Sequence, residues 1–199
     1  MRPEELSIAA EKSRLRTMLL TARRQRSVAQ RQAAGDAITE HLITRLAGTS
    51  SVAAYLPLPT EPLQSRLLDL LAERTRVIVP VVTGAAPLDW CDHPGPVEQG
   101  SFGIAEPTGR RLGPDMVAAV DVVLVPALAV DRDGYRLGRG GGHYDRTLGL
   151  LTRLRAPRPP PPVIAVVYDE EVLDAVPHDD LDRLVTAVVT PIAGLRHLR

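Results

Sequence analysis

The chain is 199 residues long and sets 24 lysines and arginines against 24 aspartates and glutamates, for a formal net charge of zero. That length supports one domain with a sizeable buried core, and balanced charge with only 3% aromatic residues argues against the basic, stacking-rich surface of a nucleic-acid binder. Cys91 is the only cysteine, which excludes a disulfide framework and a thiolate metal site.

The N-terminus reads M-R-P-E-E-L without an apolar leader, and no apolar run approaches the roughly 18 residues of a membrane span. The expectation is a cytoplasmic protein acting as a monomer, away from membranes and nucleic acid. Residues 5–24 predict a helix: Leu15, Met18, Leu19 and Ala22 form one stripe, with Lys12, Arg16, Arg23 and Arg24 spread around it. A second helix is predicted over 28–47 from Ala34, Ile38, Leu42 and Leu46, with Ser27 as its cap. A buried strand over 51–55 leads into the loop L-P-L-P-T-E-P, then a helix over 63–74 and a strand over 76–82 whose Pro80 belongs near an edge or a strand end.

From 83 to 114 periodicity fades among five prolines and six glycines, with one short apolar stretch at 88–90; so long a connection is functional or poorly ordered. Residues 121–130 predict a strand and 143–155 a helix; 156–162 is a proline-rich spacer. Apolar runs at 163–168 and 185–190 are two more strands, bridged by an acidic stretch. Near-continuous apolar strands alternating with helices predict a single α/β domain over 1–199, a three-layer α/β/α sandwich around a mostly parallel sheet. In such sheets ligands sit at the carboxyl ends of the strands, so the loops after Tyr55, Pro126 and Tyr168 should converge.

Residues 131–145, D-R-D-G-Y-R-L-G-R-G-G-G-H-Y-D, carry the strongest chemical signal. Gly138, Gly140, Gly141 and Gly142 lie between a predicted strand and a helix, the arrangement that turns backbone N–H groups into an anion cradle. Arg136 and Arg139 add positive charge, and Asp145 stands where a carboxylate holds a cation. A P-loop would need Lys-Ser or Lys-Thr after the glycines, the dinucleotide fingerprint fails at His143, and the acids do not follow a calcium loop. Two readings remain: a nucleotide-phosphate site or a flexible linker.

The wider chain then resembles the 5-formyltetrahydrofolate cyclo-ligase (methenyltetrahydrofolate synthetase) family. The marks are the segment L-V-P-A-L-A-V-D-R-D-G-Y-R-L-G-R-G-G-G-H-Y-D-R at 124–146, K-S-R-L-R at 12–16 and A-Y-L-P-L-P-T-E at 54–61. G-I-A-E-P at 103–107 and P-H-D with D-R-L-V-T at 177–186 complete the set in order, so the likeness spans almost the whole chain.

The resemblance implies conversion of 5-formyltetrahydrofolate and MgATP to 5,10-methenyltetrahydrofolate, ADP and phosphate. It implies that Lys12 and Arg16 contact nucleotide phosphates while Arg136, Gly138, Arg139, Gly140, Gly141, Gly142, His143 and Tyr144 wrap the triphosphate. Leu56, Glu61, Arg139 and His143 would meet the reduced folate, Asp145 and Asp179 would hold magnesium, and Arg139, Tyr144 and Lys12 would be catalytic. Two departures stand out. His143 replaces the family's usual tyrosine, which would bring a pH dependence near neutrality, and the closing acids are spaced one residue short, which makes Asp180 an alternative to Asp179.

From the residues alone, Lys12 and Arg16 also read as solvated helix charges, Glu61 as a first-turn acid favoured by the helix dipole, and Asp179 and Asp182 as caps. Two other functional classes fit such a sheet: a nucleotide or anion sensor without turnover, and a sugar-phosphate isomerase or acyl-transferase relative.

Overall fold

The computed structural model describes residues 3–99 and 105–198. Gly103 and Ile104, part of the G-I-A-E-P mark, lie outside the described residues. The chain opens with helix α1 (Pro3–Gln25) and helix α2 (Val28–Arg45). Between them Ser27 forms a capping box: the Gln30 amide donates to its hydroxyl at 3.1 Å, and its own amide donates to the Gln30 side chain at 2.8 Å. Strand β1 (Ser51–Ala53), helix α3 (Ser65–Ala72) and strand β2 (Arg76–Val81) follow, then β3 (Asp89–His93), β4 (Val97–Gln99) and β5 (Ala105–Pro107). After a 3-10 turn come β6 (Val122–Pro126), β7 (Ala129–Asp131), β8 (Arg136–Leu137) and helix α4 (His143–Arg155). Strands β9 (Val163–Val166), β10 (Val172–Leu173), β11 (Ala187–Thr190) and β12 (Gly194–His197) complete the described chain.

A 7-stranded sheet runs β12-β11-β9-β6-β1-β2-β3. Its inner pairings are parallel, while β3 and β12 close the two edges antiparallel. Alternate residues divide between two apolar layers. Val52, Ala54, Val77, Val79, Leu124 and Ile164 pack with Ile38 and Leu42 of α2 and Leu67, Leu68 and Leu71 of α3. Ala53, Ile78, Val123, Val125 and Ala165 face Leu148 and Leu151 of α4. Burial on both faces is why these strands read as unbroken apolar runs, and the predicted α/β/α sandwich is the observed one.

Three expectations change. The single strand predicted over 121–130 is split: β6 ends at Pro126, which has no amide to extend the ladder, and Leu128 instead donates to the Leu137 carbonyl at 2.7 Å. There β7 enters a second, 3-stranded sheet ordered β10-β7-β8. The 83–114 connection is more regular than its periodicity suggests, since it contributes the edge strand β3 and the β4–β5 pair. Arg23, expected among the charges spread around α1, is 1% exposed. Helix α1 packs through Leu15, Leu19 and Leu20 on Leu128, Ala129, Leu137 and Val176 beside the small sheet, which brings Arg16 against the glycine segment.

Candidate active site

A cavity of about 1030 Å³ opens at the carboxyl ends of β1, β2 and β6. The loops after Tyr55 and Pro126 line it as expected, and so does the far part of the connection after Tyr168, through Asp179, Leu181, Asp182 and Arg183; the Tyr168 hydroxyl donates to the Thr60 carbonyl at 3.3 Å. Lys12, Arg16, Leu56, Glu61, Arg136, Tyr144, Asp145 and Asp179 all contribute to its wall, as do Gly138 to His143. Asp182 belongs to the same wall, whereas Asp180 is not among the lining residues.

The glycine segment forms the turn into α4. Gly140 has φ of 103° and Gly142, the residue before the helix, has φ of 65°, conformations that side chains disfavour. No side chain caps the amino end of α4, so its first-turn amides stay available to an anion. Arg16 braces the turn by donating from Nε to the Gly138 carbonyl at 2.9 Å.

Lys12 donates to Asp179 Oδ2 and to Asp182 Oδ2, both at 2.6 Å. Burial works against its charge, but the hydrogen bonds and charges of the two carboxylates outweigh that cost and raise the ammonium pKa. The Lys12 hydrogen bond correspondingly holds Asp179 below the usual carboxylate range. His178 stacks on Tyr135 with ring centroids 3.5 Å apart, which orients the loop that bears Asp179. Asp179 and Asp182 also cap their own turn, since Leu181 donates to Asp179 at 3.0 Å and the Asp179 amide to Asp182 at 2.8 Å.

Arg136 donates to Asp145 Oδ1 at 2.7 Å and to the Arg183 carbonyl, and the Arg183 amide donates to Asp145 at 3.1 Å. The first turn of α4 is thereby tied to the loop that carries Asp182. Glu61 does not serve a helix dipole, because α3 begins only at Ser65. Its Oε2 accepts the Leu58 amide at 2.9 Å and its Oε1 lies 3.5 Å from Arg139 Nε, so it joins the loop after β1 to the glycine segment.

Below this contact the Tyr55 and Tyr144 hydroxyls are buried without a hydrogen-bond partner. Burial, reinforced by the negative charge of Glu61, pushes both phenols well up, so each stays a neutral donor. Unpaired buried hydroxyls are costly, and a polar ligand that reached them would relieve the cost. His143 is held below its usual pKa first by burial and then by Arg146.

Arg146, Asp182 as the second carboxylate on Lys12, and the Tyr55 hydroxyl escaped the sequence reading. Only Arg146 left a signal, the three-residue helical spacing that puts it beside His143.

Among the described residues no three His, Cys, Asp or Glu side chains cluster as a metal cage. A nucleotide-bound magnesium asks for only one or two protein carboxylates besides phosphate oxygens; Asp145 and Asp179 both line the cavity, Asp145 paired with Arg136 and Asp179 with Lys12. Among the described residues no helix is long and apolar enough to cross a membrane.

The model of the 5-formyltetrahydrofolate cyclo-ligase family matches residues 8–191. The chain belongs to the 5-formyltetrahydrofolate cyclo-ligase family. It is 41% identical over 195 residues to the 5-formyltetrahydrofolate cyclo-ligase of Mycolicibacterium smegmatis, covering 94% of this chain and 97% of that relative. The NMR structure of Aquifex aeolicus 5,10-methenyltetrahydrofolate synthetase superposes with a TM-score of 0.77 at 30% identity, covering 94% of this chain and 93% of the other. The 5,10-methenyltetrahydrofolate synthetase of Mycoplasma pneumoniae shares the fold, with a TM-score of 0.71 at 22% identity over 91% of this chain and 99% of its own. As a member of the cyclo-ligase family, the chain is an enzyme of the ligase class.

Proposed function

We propose that this enzyme converts 5-formyltetrahydrofolate to 5,10-methenyltetrahydrofolate while ATP becomes ADP and phosphate. The observation that carries the reading is the 3.5 Å contact between Glu61 and Arg139, which sets the loop after β1 against the glycine segment on one cavity. A folate held by Leu56 and Glu61 therefore meets a triphosphate held by the turn before α4.

An N-formyl oxygen leaves poorly because amide resonance stabilises the carbonyl. Transfer of the terminal phosphoryl group to that oxygen makes it a phosphate ester. N10 of the folate then attacks the formyl carbon, the C–O bond breaks with release of phosphate, and N10 loses its proton. Catalysis of phosphoryl transfer is mainly positioning and charge stabilisation. The amides from Gly140 to Gly142, with Arg16, Arg136 and the remaining Lys12 donor, suit the phosphate oxygens. Arg139 stands between that cradle and Glu61, where charge crosses from nucleotide to formyl oxygen.

The neutral Tyr144 phenol supplies a donor to the same region, and His143 a second. Magnesium, held by Asp145 and Asp179 with phosphate oxygens, would supply charge neutralisation. The reading further takes the enzyme to act in the cytoplasm as a monomer.

The test is the absorbance growth of the methenyl product from 5-formyltetrahydrofolate, with and without MgATP, on the wild type and Arg139→Ala. ATP-dependent product in the wild type and about 100-fold slower turnover in the variant support the reading. Nucleotide binding without product under any condition would instead make the protein a sensor on the same fold.

A further inference from the structure

Arg23 and Glu171 are the two least exposed charged side chains among the described residues, at 1% and 2%. Arg23 lies in the last turn of α1, on the helical face that also carries Lys12 and Arg16: at about 100° per residue, separations of 7 and 11 positions return to nearly the same side. Its guanidinium grips Glu171 in a fork, Nε to Oε1 and Nη2 to Oε2 at 2.7 Å each. Nη2 also donates to the Ala127 carbonyl at 2.7 Å, on the cavity wall just past β6. Glu171 Oε2 in turn accepts the Tyr168 amide at 2.8 Å, and the Tyr168 hydroxyl reaches the Thr60 carbonyl next to Glu61. Arg26 lies over the Tyr168 ring at 3.7 Å and keeps it in place.

We propose that Arg23 and Glu171 are a positioning pair that couples the nucleotide half of the site to the folate half. The proposal rests on the reaction proposed above. Leucine contacts hold α1 against the small sheet but tolerate rotation about the helix axis; a bidentate fork on a buried carboxylate does not. A buried ion pair is a poor device for stability alone, because desolvation offsets its attraction. Here Arg23 Nη1 is buried with no partner, a cost that an apolar anchor would not carry. What the pair supplies is orientation. Turning α1 moves Lys12 and Arg16 relative to the glycine segment, and the same movement reaches the Glu61 loop through Tyr168.

The experiment compares affinity for a non-hydrolysable ATP analogue with and without 5-formyltetrahydrofolate, alongside thermal melting and KM for both substrates. In the wild type the folate should tighten the nucleotide about 5-fold or more. In the charge-free double variant Arg23→Met with Glu171→Gln the ratio should fall to about one, with both KM values raised and kcat less affected. Tyr168→Phe, which leaves the buried pair intact and removes only the link to Thr60, should lower the ratio without changing nucleotide affinity alone. This variant decides the matter if the double variant does not fold. A folded double variant, or Tyr168→Phe, that keeps the wild-type ratio overturns the proposal. So does a wild type that turns over with a ratio of one, and there the proposed reaction stands. Absence of turnover in the wild type is the failure of the reaction itself, and the coupling falls with it.

Discussion

Arg146 Nη2 donates to His143 Nδ1 across 3.0 Å, and the same nitrogen donates to the Gly141 carbonyl at 2.9 Å. A guanidinium only donates, so Nδ1 is the acceptor and the neutral ring carries its proton on Nε2. Protonation would turn an N–H toward a cation. Burial and Arg146 lower the His143 pKa, which shifts the pH dependence that its place in the sequence suggested toward the acid side of the usual imidazole range. Turnover should stay flat with respect to His143 above about pH 6.5 and fall only in more acid solution. Arg146→Met should move that acid limb upward, as read from kcat/KM against pH; a limb that stays put refutes the assignment.

Lys12 links the acids at the end of the chain to α1, and the signs follow. Asp179 titrates lower in the folded protein than in the unfolded chain, so its pairing stabilises above about pH 4 and is lost as pH falls through the folded value. With Asp179 38% exposed, solvent screening keeps the effect below about 1 kcal/mol. Lys12→Met should raise KM for ATP, and its stability difference from the wild type should shrink as melts are taken to progressively lower pH below about 4. A constant difference across pH 3 to 7 would show that the pairing adds nothing.

Gly142 and Gly138 should answer an alanine substitution differently. At Gly142 the positive φ costs about 1–2 kcal/mol for any L side chain, and a Cβ would stand 2.6 Å from Arg146 Nη1. A Cβ at Gly138 would meet no atom within 4 Å and its φ is not positive, so Gly138→Ala should melt like the wild type. Gly142→Ala should lose a few degrees in Tm and bind ATP more weakly. Equal melting of the two variants would contradict the turn geometry.

Glu61→Gln keeps an acceptor for the Leu58 amide but removes the charge that faces Arg139. With that charge goes the charge-assisted hydrogen bond that Glu61 would make to the folate, about 1.5–3 kcal/mol, which corresponds to at least a 10-fold fall in kcat/KM for the folate. ATP affinity and Tm should change little, since Arg139 is 44% exposed. Loss confined to the ATP parameters would place Glu61 on the wrong half of the site.

Much of this fold is legible in the sequence. Strands buried on both faces are apolar at nearly every position, so β1, β2, β6, β9 and β11 announce themselves, and the glycines ahead of α4 mark a turn that side chains resist. The short edge elements β4 and β12 carry no such run; all of β4 is exposed, and β12 is buried only at Gly194. The break after Pro126 leaves no mark in the sequence because Ala127 to Val130 prolong the apolar run of β6, although β7 serves a different sheet.

The amino-acid order alone therefore determined the layers of the sandwich and the glycine turn before α4, because each depends on neighbours within a few residues, and the family, because its motifs recur in order along almost the whole chain. Tertiary structure alone decided that Lys12 meets Asp179 and Asp182 across 167 and 170 positions, and that Arg23 is interior rather than solvated. Helical periodicity says which side chains share a face. What covers that face, and hence which charges are desolvated and paired, depends on segments that come together only when the chain has closed.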